Sequence, residues 1–499
     1  MRVRHALLSP CLTAAATAYT WPSPQLEALD ALRFEQGNAI FLQPCDSFSF
    51  DPQSGGARSG RSNAADWIRT AYHDMAMHNV ADGTGGLDGS IRFAEEQARP
   101  EDIGDGFANT FKAILAQSNR YASIADIIAF GAVLAYDNCG GPEIPYRGGR
   151  DLDAHIASFA RQGFTKTEMI GLVACGHTFG GVQHASFPDT VPELNDPNNT
   201  QSSVHFDSTP VGFDNNIATE YISGTTQNPL VVGLNDTTNS DKRIFASDGN
   251  ATMRSCVGLF ADSPELFASM CATLMAKMLD TMPRGVQLTE VVTPLVKPST
   301  LSLVLGIGGD VLQFSGQVRF WNMTEDPART VRMLVDDRAG GTTDASLAFT
   351  QPSSRDAAAG ITNMRFTVGG RLEDQSGIGF TVQDDVVFAA SSCFVPDPDH
   401  VGNVIGGRFD IAVRNGVAPT RVYLESSLRD TTSAVRVEET DVPPPAALVP
   451  GNSTATYAIW SIQINETLAR RTWTMGAEVN GVKGTRIGQF EVSDFGPCA

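Results

Sequence analysis

Basic residues are scarce in this chain. Of 499 residues only 36 are Lys or Arg, against 56 Asp or Glu, and the formal net charge is -20. A protein that grips a phosphate backbone needs the opposite balance, so the composition argues against nucleic acid as a partner. An anionic membrane surface is disfavoured for the same reason. Charge of either sign is sparse, at 18% of residues, whereas hydrophobic residues make up 42%. A chain so apolar and so weakly charged buries sizeable cores, which excludes wholesale disorder. Beyond the N-terminus no segment reaches ~18 continuous apolar residues, so no membrane span is expected. No internal repeat is evident, and the length suggests two to four domains.

The N-terminus reads MRVRHALLSPCLTAAATA. Arg2, Arg4 and His5 precede a short, mostly apolar stretch, and Ala16-Thr17-Ala18 offers small residues for cleavage. Residues 1–18 therefore read as a secretory signal peptide, and the protein is expected to be extracellular. Six N-x-S/T sequons, at Asn198, Asn235, Asn250, Asn322, Asn452 and Asn465, suit a secreted glycoprotein. Of eight cysteines, Cys11 leaves with the signal. The odd number left in an oxidising compartment implies at least one free thiol.

Residues 19–296 read mainly as helix. Apolar residues recur at helical spacing over Ala64–Met77, Ile103–Ser118, Ile124–Tyr136, Lys166–Cys175 and Pro264–Met282. Phe187–Ser203 and Ser223–Lys242 read as long polar loops. The character changes after Val296-Lys297-Pro298. Runs such as LSLVLGI, SGQVRFW, GRFDIAVRN and YAIWSIQI are β-rich and punctuated by Gly, Asp, Asn and Pro. The fold class expected is multidomain α + β: a helical domain, then over 297–499 one large β-sandwich or two small ones.

Two runs in the helical part carry chemistry. In WIRTAYHDMAMHN, Arg69 and His73 are four apart and share one helical face, where a base and a guanidinium can serve one small ligand. Asp74 points elsewhere. The following turn, GTGGLDGS, offers Asp88, Ser90 and the Gly86 carbonyl, which with Asp74 suit a hard cation such as calcium. In MIGLVACGHTFGG an apolar helix ends at a Gly-flanked His177, followed by Thr178. Further on, FDSTPVGFD supplies Asp207, Thr209 and Asp214 as oxygen donors, and RIFASD ends at Asp248. His73 and His78, five apart, lie roughly 140° around a helix and do not form a zinc pair.

With these motifs in order, residues 40–296 resemble a secreted fungal haem peroxidase of the plant-type superfamily, closest to its class II branch. Arg69-x3-His73-Asp74 matches the distal run, GGLDGS the distal calcium turn, IPYRGGRD a characteristic loop, His177-Thr178 the proximal ligand pair and FDSTP the proximal calcium loop. The resemblance implies haem b and two calcium ions, with hydrogen peroxide as oxidant and small phenolic or aromatic reductants as donors. It implies His177 as iron ligand with Asp248 accepting its Nδ1–H, His73 as the acid–base shuttle, and Arg69 stabilising developing charge. Tyr72 and Phe206 would line the haem. Asp74, Gly86, Asp88 and Ser90 would hold the distal calcium; Thr178, Asp207, Thr209, the Gly212 carbonyl and Asp214 the proximal one. The family pattern also pairs Cys45 with Cys139. Cys256–Cys271 and Cys393–Cys498 are the further bridges expected, although spacing alone does not fix connectivity. Cys175 is expected to be a free, inert, packed thiol.

The sequence departs from the family in several places. Asp102, with Glu101 beside it, stands where the distal Asn aligns, which turns an amide acceptor into a potential anion. The three manganese carboxylate positions hold Ser62, Asp66 and Gln183, too few acids for a hard divalent cation. A surface Trp position holds Leu172. Trp67 and Tyr72 are alternative radical carriers or plain core. Nothing over 297–499 declares an activity, so wall or glycan contact and a structural role stay open. A monomer is expected. Two rivals remain: a wall- or glycan-binding protein with an idle peroxidase-like domain, and a peroxidase whose donor is a protein.

Overall fold

A computed structural model describes residues 23–35, 45, 59–149, 162–254, 260–324, 326–346, 353–400, 404–429, 435–445, 456–465, 472–485, 490–491 and 495–498. The expected signal peptide, residues 1–18, lies outside the described residues, as do Cys256 and Asn452. So do Arg150 and Asp151 of the IPYRGGRD loop.

The chain folds as a helical region followed by a β region. The helices are α1 (Pro24–Phe34), α2 (Asn63–Met75), α3 (Ala94–Gln97), α4 (Gly106–Ile114), α5 (Ile124–Asn138), α6 (Lys166–Gly176), α7 (Asn216–Ser223), α8 (Pro229–Val232), α9 (Ser240–Ala246) and α10 (Pro264–Leu279). Helix α5 is the centre: every residue from Ile124 to Tyr136 is buried. Its start is fixed by a capping box in which Ser123 and Asp126 exchange side-chain-to-backbone hydrogen bonds. Helix α6 starts on the same device, Thr165 with Glu168. Trp67, 1% exposed, sits in this core. Part of the expected Ser223–Lys242 loop is helical, because Pro229 opens α8 and α9 begins at Ser240.

Among the described residues the β region is built of three sheets. A central eight-stranded sheet includes Lys297–Leu305, Val311–Arg319, Val386–Ala389, Val404–Arg414 and Tyr457–Ile464. It shares one core with a five-stranded sheet built on Val331–Asp336 and Asn363–Val368, filled by Phe314, Met333, Met364 and Phe366. A second core, filled by Phe388, Phe409, Ile411, Leu424 and Trp473, lies against the five-stranded sheet of Pro419–Arg429, Val435–Asp441 and Thr472–Val479. One long sheet thus walls two cores.

Charged groups cross between the two regions. Asp30 of α1, fully buried, lies 3.0 Å from Lys297 Nζ and accepts from Arg319 Nη2 at 2.9 Å. Lys297 also reaches Glu27 at 2.5 Å, and the Arg319 guanidinium donates to the Leu295 carbonyl. Elsewhere Arg120 pairs with Glu425.

Three disulfides occur among the described residues: Cys45–Cys139, Cys175–Cys271 and Cys393–Cys498. The second corrects two expectations, a free Cys175 and a Cys256–Cys271 bridge. Helices α6 and α10 pack so closely that a Cβ on Gly171 would meet Leu274 at 2.6 Å, and this contact brings Cys175 against Cys271.

Candidate functional site

Helix α2 carries Arg69 and His73 on the face turned to a cavity of about 430 Å³. Asp74, one residue on, is fully buried on another side. The His73 ring is held at its Nδ1 end. Its Nδ1 lies 2.5 Å from Asp102 Oδ1, in the short 3-10 turn Pro100–Asp102. A carboxylate accepts only, so Nδ1 carries the proton and Nε2 is left as the acceptor. Burial lowers the His73 pKa; Asp102 raises it, and the Arg69 guanidinium lowers it further. Arg69 donates from Nη2 to the Ile103 carbonyl at 2.9 Å.

Phe107, which sequence reasoning passed over, packs against both groups. Its ring lies 5.4 Å from the His73 ring and 4.6 Å from the Arg69 guanidinium carbon. It stands in the first turn of α4, and an apolar residue in that place reads simply as core. Gly106 before it allows the close approach, since a Cβ there would meet Asp66 Oδ1 at 2.8 Å and Arg69 Nη1 at 3.3 Å. Tyr72 lines the cavity beside His73, with ring centres 5.5 Å apart. Burial raises the pKa of its phenol.

The other wall comes from α6. His177 caps its C-terminus and stacks on Phe206 at 4.1 Å and 14°. A short ribbon, Gly181–Gln183 paired with Ser203–His205, places Phe206, whose N–H donates to the Gly180 carbonyl. Gly180 adopts φ +75, and a Cβ there would lie 2.4 Å from Ala65 of α2, so the two walls meet at this glycine.

The His177 Nδ1 partner is Asp241 Oδ2, at 2.8 Å, and not Asp248. Asp241 is fully buried and also accepts from Asn228 Nδ2. Asp248 instead accepts from the backbone and hydroxyl of Thr252. Asp241 stands in the first turn of α9, which packs on His177, whereas Asp248 lies beyond the helix end at Ala246; no signal in the sequence separates the two acids.

The remaining wall is apolar: Leu172, Val173, Leu230, Ile244 and Met275 line it. A partly open cavity with one apolar wall and a histidine from each of two helices suits a flat, metal-bearing macrocycle such as haem. Leu172 is buried, which removes it from the surface. Asp66 is tied to Arg61 at 2.8 Å, so the only acid at the manganese-type positions already has a cation.

The two oxygen-donor sets also assemble. Asp74 accepts from the Gly89 and Ile91 amides, Asp88 accepts from the Ser90 amide, and the Ser90 hydroxyl is buried with no partner. Burial, then the Asp88 charge, pushes Asp74 up to about 8. In the second set Thr178 donates to the Asp214 carbonyl, Thr209 to the Asp214 carboxylate, and Asp207 Oδ2 is buried without a partner. Burial drives Asp207 up to about 7. The Gly212 amide donates to Thr209 O in the same turn. Among the described residues no three His, Cys, Asp or Glu side chains converge on one point. Each set has two carboxylates with hydroxyls beside them.

Residues 56–154 match the family described as Peroxidase. The chain is 35% identical over 360 residues to a WSC domain-containing protein of Arthroderma benhamiae, covering 66% of this chain and 47% of that protein. It is 29% identical over 184 residues to L-ascorbate peroxidase 5, peroxisomal, of Arabidopsis thaliana, covering 34% of this chain and 61% of that enzyme. A mitochondrial cytochrome c peroxidase of Emericella nidulans is 29% identical over 133 residues, 23% of this chain and 37% of that enzyme. The chain thus spans about half the length of the first of these relatives. Part of the helical region, residues 56–154, is thus similar to the peroxidase family, and the chain to these peroxidases.

Proposed function

We propose that the protein is a secreted haem peroxidase that uses hydrogen peroxide to oxidise small phenolic or aromatic donors in one-electron steps. The observation that carries this reading is one cavity with His73 and His177 in its walls, each with a buried carboxylate on Nδ1. His177 Nε2 would hold the iron, and Asp241 would give the ring imidazolate character. Haem, when bound, would supply the electrons and the open coordination position for peroxide. His73 Nε2 takes a proton from the peroxide and returns it to the departing oxygen. Arg69 stabilises the negative charge that develops as the O–O bond breaks. Burial helps by keeping His73 neutral, which a base requires.

Calcium fits both oxygen sets in this reading. A cation would use the Ser90 hydroxyl and Asp207 Oδ2 that have no hydrogen-bond partner, and would offset the paired carboxylates. Asp74 adjoins His73 and Thr178 adjoins His177, so each ion would brace one histidine. Secretion accords with three disulfides and with the absence, among the described residues, of any helix long and apolar enough to cross a membrane. The sequons at Asn198, Asn235, Asn322 and Asn465 are exposed, as glycosylation requires.

The relationship to a WSC domain-containing protein is compatible with the rival, a wall- or glycan-binding protein whose peroxidase domain is idle. Reconstitution with haem decides between them. A Soret band with peroxide-dependent oxidation of a phenol is expected; a folded chain that takes up no haem would defeat the proposal.

A further inference from the structure

The helix that carries Phe107 is short, and its far end is finished by the β region. Helix α4 runs from Gly106 to Ile114 and continues into a 3-10 turn, Leu115–Gln117. A helix of this length is marginal alone and depends on what its ends and faces touch. Its inner face is fixed by Phe107 under His73 and Arg69, and by Thr110, which accepts from Thr70 of α2 at 2.9 Å. Ile114, fully buried, presses on α5 where a Cβ on Gly131 would meet it at 2.7 Å.

Of the last carbonyls, that of Leu115 accepts from the Ser118 amide and hydroxyl, and the further donors come from elsewhere. Arg429, at the end of the strand Pro419–Arg429, supplies them. Its Nη1 donates to the Leu115 carbonyl at 3.0 Å and the Ser118 hydroxyl at 2.5 Å. Its Nη2 donates to the Ala116 carbonyl at 2.9 Å and the Ser118 carbonyl at 2.5 Å. A guanidinium at a helix C-terminus also meets the negative end of the dipole. Two residues past Ser118, Arg120 pairs with Glu425 of the same strand.

We infer that Arg429 is a positioning residue for the distal site: the β region holds α4, and α4 holds Phe107 against His73 and Arg69. This role rests on the peroxidase reading above. It gives the C-terminal half a part in the chemistry without any group of its own in the cavity.

The test uses the full-length chain. In Arg429→Ala, amide hydrogen exchange over residues 107–118 should speed up at least tenfold, while exchange over α6 stays unchanged. The bimolecular rate with peroxide should fall three- to tenfold, with the KM for a phenolic donor unchanged and the ferric spectrum showing an altered spin-state mixture. Arg429→Lys, which keeps the charge and some donors, should recover at least half of the loss. If Arg429→Ala does not accumulate as folded protein, Arg429→Gln is measured in its place against Arg429→Lys. Unchanged exchange would overturn the capping role. Faster exchange with a wild-type peroxide rate and spectrum would overturn the positioning role and leave a purely structural cap. Failure of the wild-type chain to bind haem would defeat the peroxidase reading and this role together, whereas a wild type that binds haem and reacts, with variants that show no defect, defeats this role alone.

Discussion

His177 lies flat on Phe206 with its Nδ1 tied to a fully buried Asp241, whereas His73 stands one helical turn from Arg69, edge-on to Phe107 and Tyr72, with its Nδ1 on Asp102. The same pair of groups, imidazole and carboxylate, occupies both walls. What differs is the neighbour. On the distal side a guanidinium and burial oppose the carboxylate, and the outcome is a lowered pKa and a neutral base. On the proximal side, among the described residues, no cation pairs with the ring, Asn228 shares Asp241, and the carboxylate would polarise Nδ1–H. In the proposed function one pair would move a proton while the other would tune an iron ligand.

Loss of either histidine should show this division most clearly. His177→Ala should abolish the Soret spectrum of the reconstituted chain; a normal spectrum would overturn its assignment. His73→Ala should keep haem but slow the reaction with peroxide by about 10²–10⁴-fold, the range of a lost acid–base group. Stopped-flow mixing measures it, and a near-wild-type rate would remove His73 from the shuttle.

Calcium removal should act on both walls at once. If calcium is present at a hundredfold its Kd, chelation should cost about 3 kcal/mol per site and lower the melting temperature. Metal analysis that finds no calcium, or a melting curve that ignores chelator, would contradict the two oxygen sets.

The carboxylates should separate by pH. Asp102 raises the His73 pKa against burial and Arg69, so Asp102→Asn should lower it further. Neutral His73 then persists to lower pH, and the acid limb of the peroxide reaction should move down by about half a unit to one unit. Asp241→Asn should leave that limb in place and shift the ferric spectrum instead. An unmoved limb in Asp102→Asn would mean the contact does not govern the base. The smallest effect expected is on manganese. With Asp66 bound to Arg61, and with Ser62 and Gln183 in the other positions, saturable manganese oxidation at sub-millimolar concentration should be absent.

Much of this site was legible in the sequence because its parts lie close together along the chain. Arg69, His73 and Asp74 share one helix, and the GGLDGS turn follows within a few residues. The misses are long-range. Asp241 stands in the first turn of α9 and Asp248 just beyond its end, and only the packing of α9 chooses between them. Cys175 and Cys271 lie 96 residues apart, and only the α6–α10 contact brings them together. Phe107 carries no signal, since an apolar residue in a helix reads as core. The sharing of one sheet between two β cores depends on strand order, which alternation of residues does not reveal.

Asp30 has a consequence for how the protein can come apart. A carboxylate with no exposure, gripped by Lys297 and Arg319, cannot lose those partners without standing as an uncompensated charge, a penalty of about 3–5 kcal/mol. Both cations belong to the first two strands after residue 296, while Asp30 belongs to the first helix. A fragment ending at 296 would therefore begin life with a defect in its opening helix. The helical and β regions are coupled at the two ends of the chain's first 320 residues. Calorimetry of the whole protein should show them melting in one shared transition, and Asp30→Asn should split or broaden it.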